Sequence, residues 1–409
     1  MSKNIPSETF CVLPFMHVAV SPTGSFRVCC NSDPNTNKIW KTENKEYKYF
    51  RDDVNEVWNS DVYKTIRKQL INGERPDMCV QCFREEDIGI KSPRIGHNNK
   101  WFKDDIIIAE EIPLDVRYID IRLGNLCNLK CRMCNPWSSS QWVKDWNKVV
   151  DTAELQPSAP LSIDDIAWLE VLGEWPDRKN TANNFIEIAN TIEEIYLTGG
   201  EPTLAVSQYK LFDYCIEHDL AANIKLKYNT NLTNVPEKML EYWKHFKQVQ
   251  LSCSIDAYRD RNKYIRYPSN WEKITENFDT LNALPNVNIE IHCTVQVLNM
   301  CALNELFDWA LARITPDQIY LNILNHPDCM NIRTLPTRLK KTAEDNLSEY
   351  LHIPKVVDII SYMHSEDWYD KRWHEFVAFN KKTDTLQKGD LLKACPEFIE
   401  FMPLELDNA

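Results

Sequence analysis

Three cysteines lie close together in Leu126-Cys127-Asn128-Leu129-Lys130-Cys131-Arg132-Met133-Cys134, with the spacing C-x3-C-x2-C. Three thiolates can hold three irons of a [4Fe–4S] cube and leave the fourth iron without a protein ligand. The amino and carboxylate groups of a small molecule can chelate an iron left open in this way. Zinc is the competing occupant, but structural zinc takes four ligands, usually with C-x2-C pairs, and no fourth Cys or His lies at finger-like spacing. A second set is Cys11, Cys29, Cys79 and Cys82, in which C-x12-G-x4-C around Gly24 is followed by Cys79-Val80-Gln81-Cys82. Four thiolates can close a second [4Fe–4S] cluster, and the same four suit tetrahedral zinc. Cys30 is a rival to its neighbour Cys29. Finally, Ile195-Tyr196-Leu197-Thr198 runs into Gly199-Gly200-Glu201-Pro202. Two glycines let the backbone approach a ligand closely, and bare carbonyls there can accept bonds from an ammonium group. Taken alone, the same residues are a turn.

The elements that must position these residues follow from the apolar pattern. Short strands are expected at Tyr118–Leu123, Glu194–Thr198, Ile224–Tyr228, Gln248–Ile255, Val287–Val295 and Gln318–Ile323. Amphipathic helices alternate with them; Trp271, Ile274, Phe278 and Leu281 share one helical face. Such alternation implies a parallel sheet with right-handed crossovers, and six strands make a partial (β/α)6 barrel rather than a closed eightfold one. Barrel chemistry sits at the C-terminal ends of the strands, where each motif falls. Residues 1–100 form a small N-terminal module with five cysteines and one clear helix, capped by Ser60, faced by Tyr63, Ile66 and Leu70, and stopped at Gly73 and Pro76. Trp101 to Pro113 is a connector, 114–329 the barrel with a long helical excursion from Trp137 to Thr191, and 330–409 a helical C-terminal extension.

Composition narrows the class. The 409 residues are 43% hydrophobic and 26% charged, a globular balance. No apolar run approaches the roughly 20 residues needed to span a bilayer. Met1 to Thr9 has neither a basic n-region nor an apolar h-region, so a cytoplasmic protein with no membrane partner is expected. In that compartment the 14 cysteines are read as metal-binding or catalytic rather than disulfide-bonded. A net charge of −13 argues against nucleic acid as a partner. Cys215, Cys253, Cys293, Cys301, Cys329 and Cys395 are scattered and read as small buried hydrophobes, a substrate-side role for Cys329 or Cys395 being the lesser alternative. The nine histidines show no ligand spacing.

The cysteine motif resembles the signature of the radical S-adenosylmethionine superfamily, C-x3-C-x-Φ-C, with Met133 at the aromatic position Φ that lies against the adenine. Gly199-Gly200-Glu201-Pro202 resembles the family's GGEP motif, which receives the methionine amino group. Thr230-Asn231-Leu232-Thr233 is similar to T-N-G-T, which faces the ribose, with Leu232 in place of glycine. Ser252-Cys253-Ser254-Ile255-Asp256 resembles a V-S-I-D strand end, and Arg266 follows Ser254 by twelve residues, as in the serine–arginine pair of anaerobic sulfatase-maturating enzymes. An arginine fork suits the methionine carboxylate. The resemblance therefore implies a cluster on Cys127, Cys131 and Cys134, with S-adenosylmethionine held by Met133, Gly199, Gly200, Glu201, Thr230, Ser254 and Arg266. The N-terminal set resembles the SPASM and Twitch auxiliary-cluster modules, the smaller Twitch type fitting better, although here the module precedes the barrel. It implies a second [4Fe–4S] cluster on Cys11, Cys29, Cys79 and Cys82, the G-x4-C spacing favouring Cys29 over Cys30.

The function so implied is reductive cleavage of S-adenosylmethionine to methionine and a 5′-deoxyadenosyl radical that abstracts a substrate hydrogen. A flavodoxin- or ferredoxin-like protein would supply the electron. Oxidative modification of a peptide or protein is the leading expectation, because many enzymes with auxiliary-cluster modules act on peptides. The alternatives are a small-molecule oxidoreductase or epimerase acting on an amino acid, sugar or nucleoside, and a non-catalytic iron or zinc protein. No residue is singled out as catalytic acid or hydrogen donor.

Overall fold

The computed structural model describes residues 5–32, 38–89, 91–150 and 160–402. Parts of the expected N-terminal module, residues 151–159 of the helical excursion and residues 403–409 of the C-terminal extension lie outside the described residues. The strands are β1 (His17–Val20), β2 (Phe26–Arg27), β3 (Trp40–Thr42), β4 (Lys45–Glu46), β5 (Tyr118–Arg122), β6 (Glu194–Thr198), β7 (Lys225–Thr230), β8 (Gln248–Cys253), β9 (Val287–Val295) and β10 (Ile319–Ile323). Eight of them form one mostly parallel sheet in the order β10-β9-β8-β7-β6-β5-β1-β2, and β3 and β4 pair separately. The six strands expected from sequence are β5–β10, with every end within two residues of expectation. The class is α/β, a mostly parallel sheet with a helical C-terminal region.

The chain divides into two compact units. The first comprises 1–126, 171–228 and 238–249; the second comprises 127–170, 229–237 and 250–409. In the first unit the N-terminal segment contributes directly to the sheet. β1 runs parallel to β5, pairing His17 with Tyr118 through Val20 with Ile121, and β2 turns back antiparallel on β1. The turn between β1 and β2 requires Gly24, which has φ of +70° and no room for a side chain: a Cβ there would lie 2.6 Å from the Phe50 ring. Strand alternation gives the sheet of this unit two chemically different faces. Ile119, Ile121, Ile195, Leu197, Leu226 and Tyr228 form a buried apolar face. The alternate positions, Asp120, Arg122, Tyr196, Thr198, Lys225 and Lys227, are polar or charged.

The expected helix is present as Asp61–Ile71, with Tyr63, Ile66 and Leu70 buried and Gly73 at φ +81° behind its end. Ser60 stands at its N-cap without a side-chain capping bond. Arg67 on the same helix is also fully buried, because its Nε donates to the Pro14 carbonyl at 2.8 Å, its Nη1 to Asn59 at 2.9 Å, and its guanidinium lies 4.7 Å from the Trp58 ring centroid. In the second unit, Trp271–Asn282 buries the predicted face of Trp271, Ile274, Phe278 and Leu281. Its N-cap Asn270 accepts from the Lys273 N–H at 2.7 Å. The C-terminal region is helical, with Thr337–Asn346, Val356–Ser365 and Tyr369–Gln387 its main helices. Among the described residues no helix is long and apolar enough to cross a membrane.

Arg67→Leu is expected to lower the folding stability of the apoprotein by about 2–4 kcal/mol, because it removes three hydrogen bonds, to the buried Pro14 carbonyl, to Asn59 and to the Glu110 carbonyl. Anaerobic denaturant titration with reduced thiols checks this, and a shift below the usual surface-substitution range of about 0.5 kcal/mol would contradict it.

Candidate metal centres and cofactor site

In the second unit, Cys127 and Cys131 are 8% exposed and pack with Leu129, with Met133 and Cys134 against them. The loop that carries these thiols is pinned through its backbone at successive residues. The Lys130 N–H donates to the Tyr267 carbonyl at 2.5 Å and the Arg132 N–H to the Ile265 carbonyl at 2.9 Å. Ser139 Oγ donates to the Leu129 carbonyl, Trp142 Nε1 to the Cys131 carbonyl and Gln387 Nε2 to the Lys130 carbonyl, at 2.6, 2.9 and 2.8 Å. Arg132, inside the motif, is 1% exposed and spans to the C-terminal helix, with Nε on the Tyr264 carbonyl at 2.9 Å, Nη1 on Asn380 at 3.0 Å and Nη2 on Asp384. Burial pushes up the Cys131 thiol and lifts Cys134 to about 12, so both are neutral until a metal displaces their protons.

Two strand ends meet this loop. Asn128, between the first two cysteines, donates to Thr233 Oγ1 at 2.7 Å and accepts from Asn231 Nδ2 at 3.0 Å. Leu232 has φ of +58°, the left-handed region that favours glycine, and its carbonyl accepts from Asn277 Nδ2 at 2.6 Å. The backbone thus keeps the shape for which T-N-G-T uses glycine, while the leucine side chain is fully buried. The Ser254 N–H donates to the Thr230 carbonyl at 2.7 Å.

Arg266 is no ordinary surface charge. Its Nη2 donates to Asp256 Oδ1 at 3.0 Å and its Nε lies 2.7 Å from Oδ2, with side-chain exposures of 11% and 0%. Burial opposes the guanidinium charge, but Asp256 beside it holds it above its ordinary value. Asp256 is itself positioned by the Thr294 N–H at 2.8 Å on its carboxylate and by Asn299 Nδ2 at 2.8 Å on its carbonyl.

In the first unit, β6 ends in Gly199 and Gly200, with φ of +85° and +51°. A Cβ on Gly200 would lie 2.1 Å from the Leu126 carbonyl oxygen, and one on Gly199 2.7 Å from that of Gly124. The Glu201 N–H donates to the Leu126 carbonyl at 2.8 Å. The Glu201 carboxylate, 1% exposed, accepts from Thr203 N at 3.2 Å and Oγ1 at 2.8 Å, capping the short turn that follows.

Also in the first unit, Cys11, Cys29, Cys79 and Cys82 line one cavity with Cys30 at its side. The polypeptide brings them from three separate segments. Cys11 precedes the turn Leu13–Phe15, Cys29 follows β2, and Cys79 and Cys82 lie at and inside the start of Val80–Asp87. Arg94 and Asn98 tie these segments together, donating to the Phe10 carbonyl at 2.6 and 2.7 Å, while Arg94 Nε also reaches Glu86 at 2.9 Å. Burial pushes all four thiols up, Cys79 to about 12. Among the described residues, no three His, Cys, Asp or Glu converge as ligands of a single metal ion. The six scattered cysteines are all buried. Sequence reasoning missed Arg132, Asn128 and the Asp256 partner of Arg266. Their signals were weak: the first two are spacer positions of the motif, and the third is a pairing across ten residues.

Residues 121–310 match the family described as the radical SAM superfamily, and residues 11–83 match SPASM, an iron–sulfur cluster-binding domain. The chain carries a radical S-adenosylmethionine domain preceded by an iron–sulfur cluster-binding domain. Its cofactors are accordingly [4Fe–4S] clusters and S-adenosylmethionine. No curated protein matches the chain. Among solved structures it is similar to native anSMEcpe with bound AdoMet, at 18% identity and a TM-score of 0.36 over 60% of this chain and 62% of that one. It is also similar to Streptococcus suis SuiB bound to the precursor peptide SuiA, at 14% identity and a TM-score of 0.35 over 70% and 63% of the two chains. The chain thus spans about three fifths of the length of the anSMEcpe structures it matches.

Two substitutions test these contacts. Gly200→Ala places a methyl group against backbone and should cost about 3 kcal/mol or more in folding stability. Arg266→Gln strands a buried carboxylate and should cost about 3–5 kcal/mol, part of which Asp256→Asn in the same chain should restore. Denaturant titration of the apoproteins checks both, and an unchanged midpoint for either single variant would contradict the corresponding contact.

Proposed function

We propose that this protein is an S-adenosylmethionine-cleaving radical enzyme that carries out an oxidative modification of a peptide or protein, with one cluster on Cys127, Cys131 and Cys134 and a second on Cys11, Cys29, Cys79 and Cys82. The observation that carries the reading is the presence of two separate thiol sets, three packed together in one unit and four around one cavity in the other. Three thiolates leave an iron open to S-adenosylmethionine, whereas four close a cube. A tetrahedral zinc would need its ligands about 2.3 Å from one point. The cavity-lining spread of the four suits a cube, whose ligands sit on separate irons.

Held by Cys127, Cys131 and Cys134, the first cluster would supply the electron for reductive cleavage of S-adenosylmethionine, and held by Cys11, Cys29, Cys79 and Cys82, the second would offer an acceptor for an electron from the substrate. The chain's own residues hold and shield. Gly199 and Gly200 present bare backbone where an ammonium group can approach, and Met133 offers an apolar contact for the adenine. Thr230 and Ser254, bonded backbone to backbone, form adjoining strand ends for the ribose and methionine parts. Arg266 uses one edge on Asp256, which orients it and keeps it charged, and the rest of its fork is the candidate for the methionine carboxylate.

Anaerobically reconstituted protein should hold about eight irons, the sum of two cubes, and Cys79→Ala with Cys82→Ala should remove about half. Stoichiometric zinc with a single cluster would contradict the second site. For the reaction, the product of a peptide substrate should be lighter by two hydrogens, with one S-adenosylmethionine consumed per turnover. An epimer of unchanged mass would contradict the oxidative assignment and favour the redox-neutral alternative.

A further inference from the structure

On the polar face of the first unit's sheet, one ladder row reads Arg27, Ala19, Asp120, Tyr196 and Lys227 across β2, β1, β5, β6 and β7. The row on its N-terminal side is filled. Tyr118 is covered by His17, His97 and Trp101 at ring-centroid distances of 4.5, 6.1 and 5.6 Å, and Glu194 is paired with Lys100 at 2.6 Å. On the C-terminal side Arg122 stands beside Thr198, which leads directly into Gly199. The middle row carries buried polar atoms without well-formed hydrogen bonds on Asp120 and Arg27. Asp120 is 1% exposed, and neither of its carboxylate oxygens has a well-formed hydrogen bond; the Arg122 guanidinium, the Cys30 thiol and Lys227 are its charged or polar neighbours. Arg27 Nε and Thr198 Oγ1 are also buried without a partner. Arg27 and Arg122 are near enough to oppose each other's charge, and Lys227 rests over the Tyr196 ring at 5.1 Å. None of these three cations has an ion pair within hydrogen-bonding reach among the described residues. Ala19, between Arg27 and Asp120 in the ladder, ends at its Cβ.

Buried polar groups are normally satisfied, so this many orphaned atoms on one row call for a ligand. Parallel sheets bind ligands at the C-terminal ends of their strands, and Arg122 and Thr198 are the last residues of β5 and β6. Glu46, the other carboxylate near Arg27, is already bonded to Lys48 at 2.8 Å and Ser25 at 3.0 Å, so Arg27, Arg122 and Lys227 leave this region with excess positive charge in a chain whose net charge is −13. A buried carboxylate among them disfavours a phosphate dianion and suits a monoanion that brings an N–H donor of its own. We propose that this row is the substrate subsite and takes a peptide carboxylate, set among Arg27, Arg122 and Lys227, with a neighbouring peptide N–H given to Asp120. The proposal rests on the peptide-modifying reading above and names the part of the substrate that this unit would recognise: an acidic side chain or a C-terminus. Cys30, which lines the four-cysteine cavity and touches Asp120, would then adjoin both the substrate and the second cluster.

Calorimetry on the reconstituted holoprotein tests it with two acid–amide pairs: N-acetylglutamate amide against N-acetylglutamine amide, and N-acetylglycine against its amide. The first pair reports a side-chain carboxylate and the second a C-terminus. One acid should bind in the millimolar range and its amide roughly tenfold more weakly, since charge-assisted bonds are lost. Arg27→Gln should erase the difference between acid and amide at unchanged iron content. Equal affinities in both pairs, or no binding of either acid at about 50 mM, would overturn the proposal. So would a tenfold preference for inorganic phosphate, or displacement of the acid by S-adenosylmethionine, which would give the row to the cofactor. The two readings fail separately: cofactor cleavage without acid binding removes the subsite alone, and acid binding without cofactor cleavage removes the enzymatic reading alone.

Discussion

The close approach of Gly200 to the Leu126 carbonyl is the constraint on which the site depends. At 2.1 Å from a would-be Cβ, no residue but glycine fits, and the Glu201 N–H turns the same carbonyl into a hydrogen-bond acceptor at 2.8 Å. One strand higher, the Leu123 N–H reaches the Thr198 carbonyl at 3.2 Å. The chain leaving β5 is therefore locked to the chain leaving β6, and the residue after this lock is Cys127.

Beyond that point the second unit holds the loop by saturation rather than by a single strong bond. The spacer residues are bonded or packed in turn. Asn128 reaches the strand end at 231–233, Lys130 and Arg132 are bonded through both backbone and side chain, and Met133 packs on the thiols. The cost is concentrated at ionised groups out of water. Arg132 and Arg266 are buried guanidiniums, each answered by a carboxylate, and replacing one partner leaves the other charge uncompensated.

Much of this was legible in the residues. β5–β10 alternate or run apolar between turn signals, and the C-x3-C-x2-C and Gly-Gly-Glu-Pro spacings are local, so periodicity and motif suffice. What escaped was non-local. Phe10 to Val20 is a continuous apolar stretch with no period, so β1 could not be told from core, and its pairing with β5 made the N-terminal cysteine segment part of the sheet. The charged alternation in Tyr118-Ile119-Asp120-Ile121-Arg122 was visible, but only the register places Asp120, which burial lifts to about 6, on one row with Arg27 and Lys227. Leu232 could be read only as a departure from glycine; its positive φ shows that the turn survives the substitution.

The measurement that bears most directly on the account is anaerobic, dithionite-driven conversion of S-adenosylmethionine by the reconstituted protein. The account predicts equal amounts of methionine and 5′-deoxyadenosine, and loss of both with Cys131→Ala while the four-cysteine site keeps its iron. A protein with full iron at both sites that yields no 5′-deoxyadenosine would contradict it.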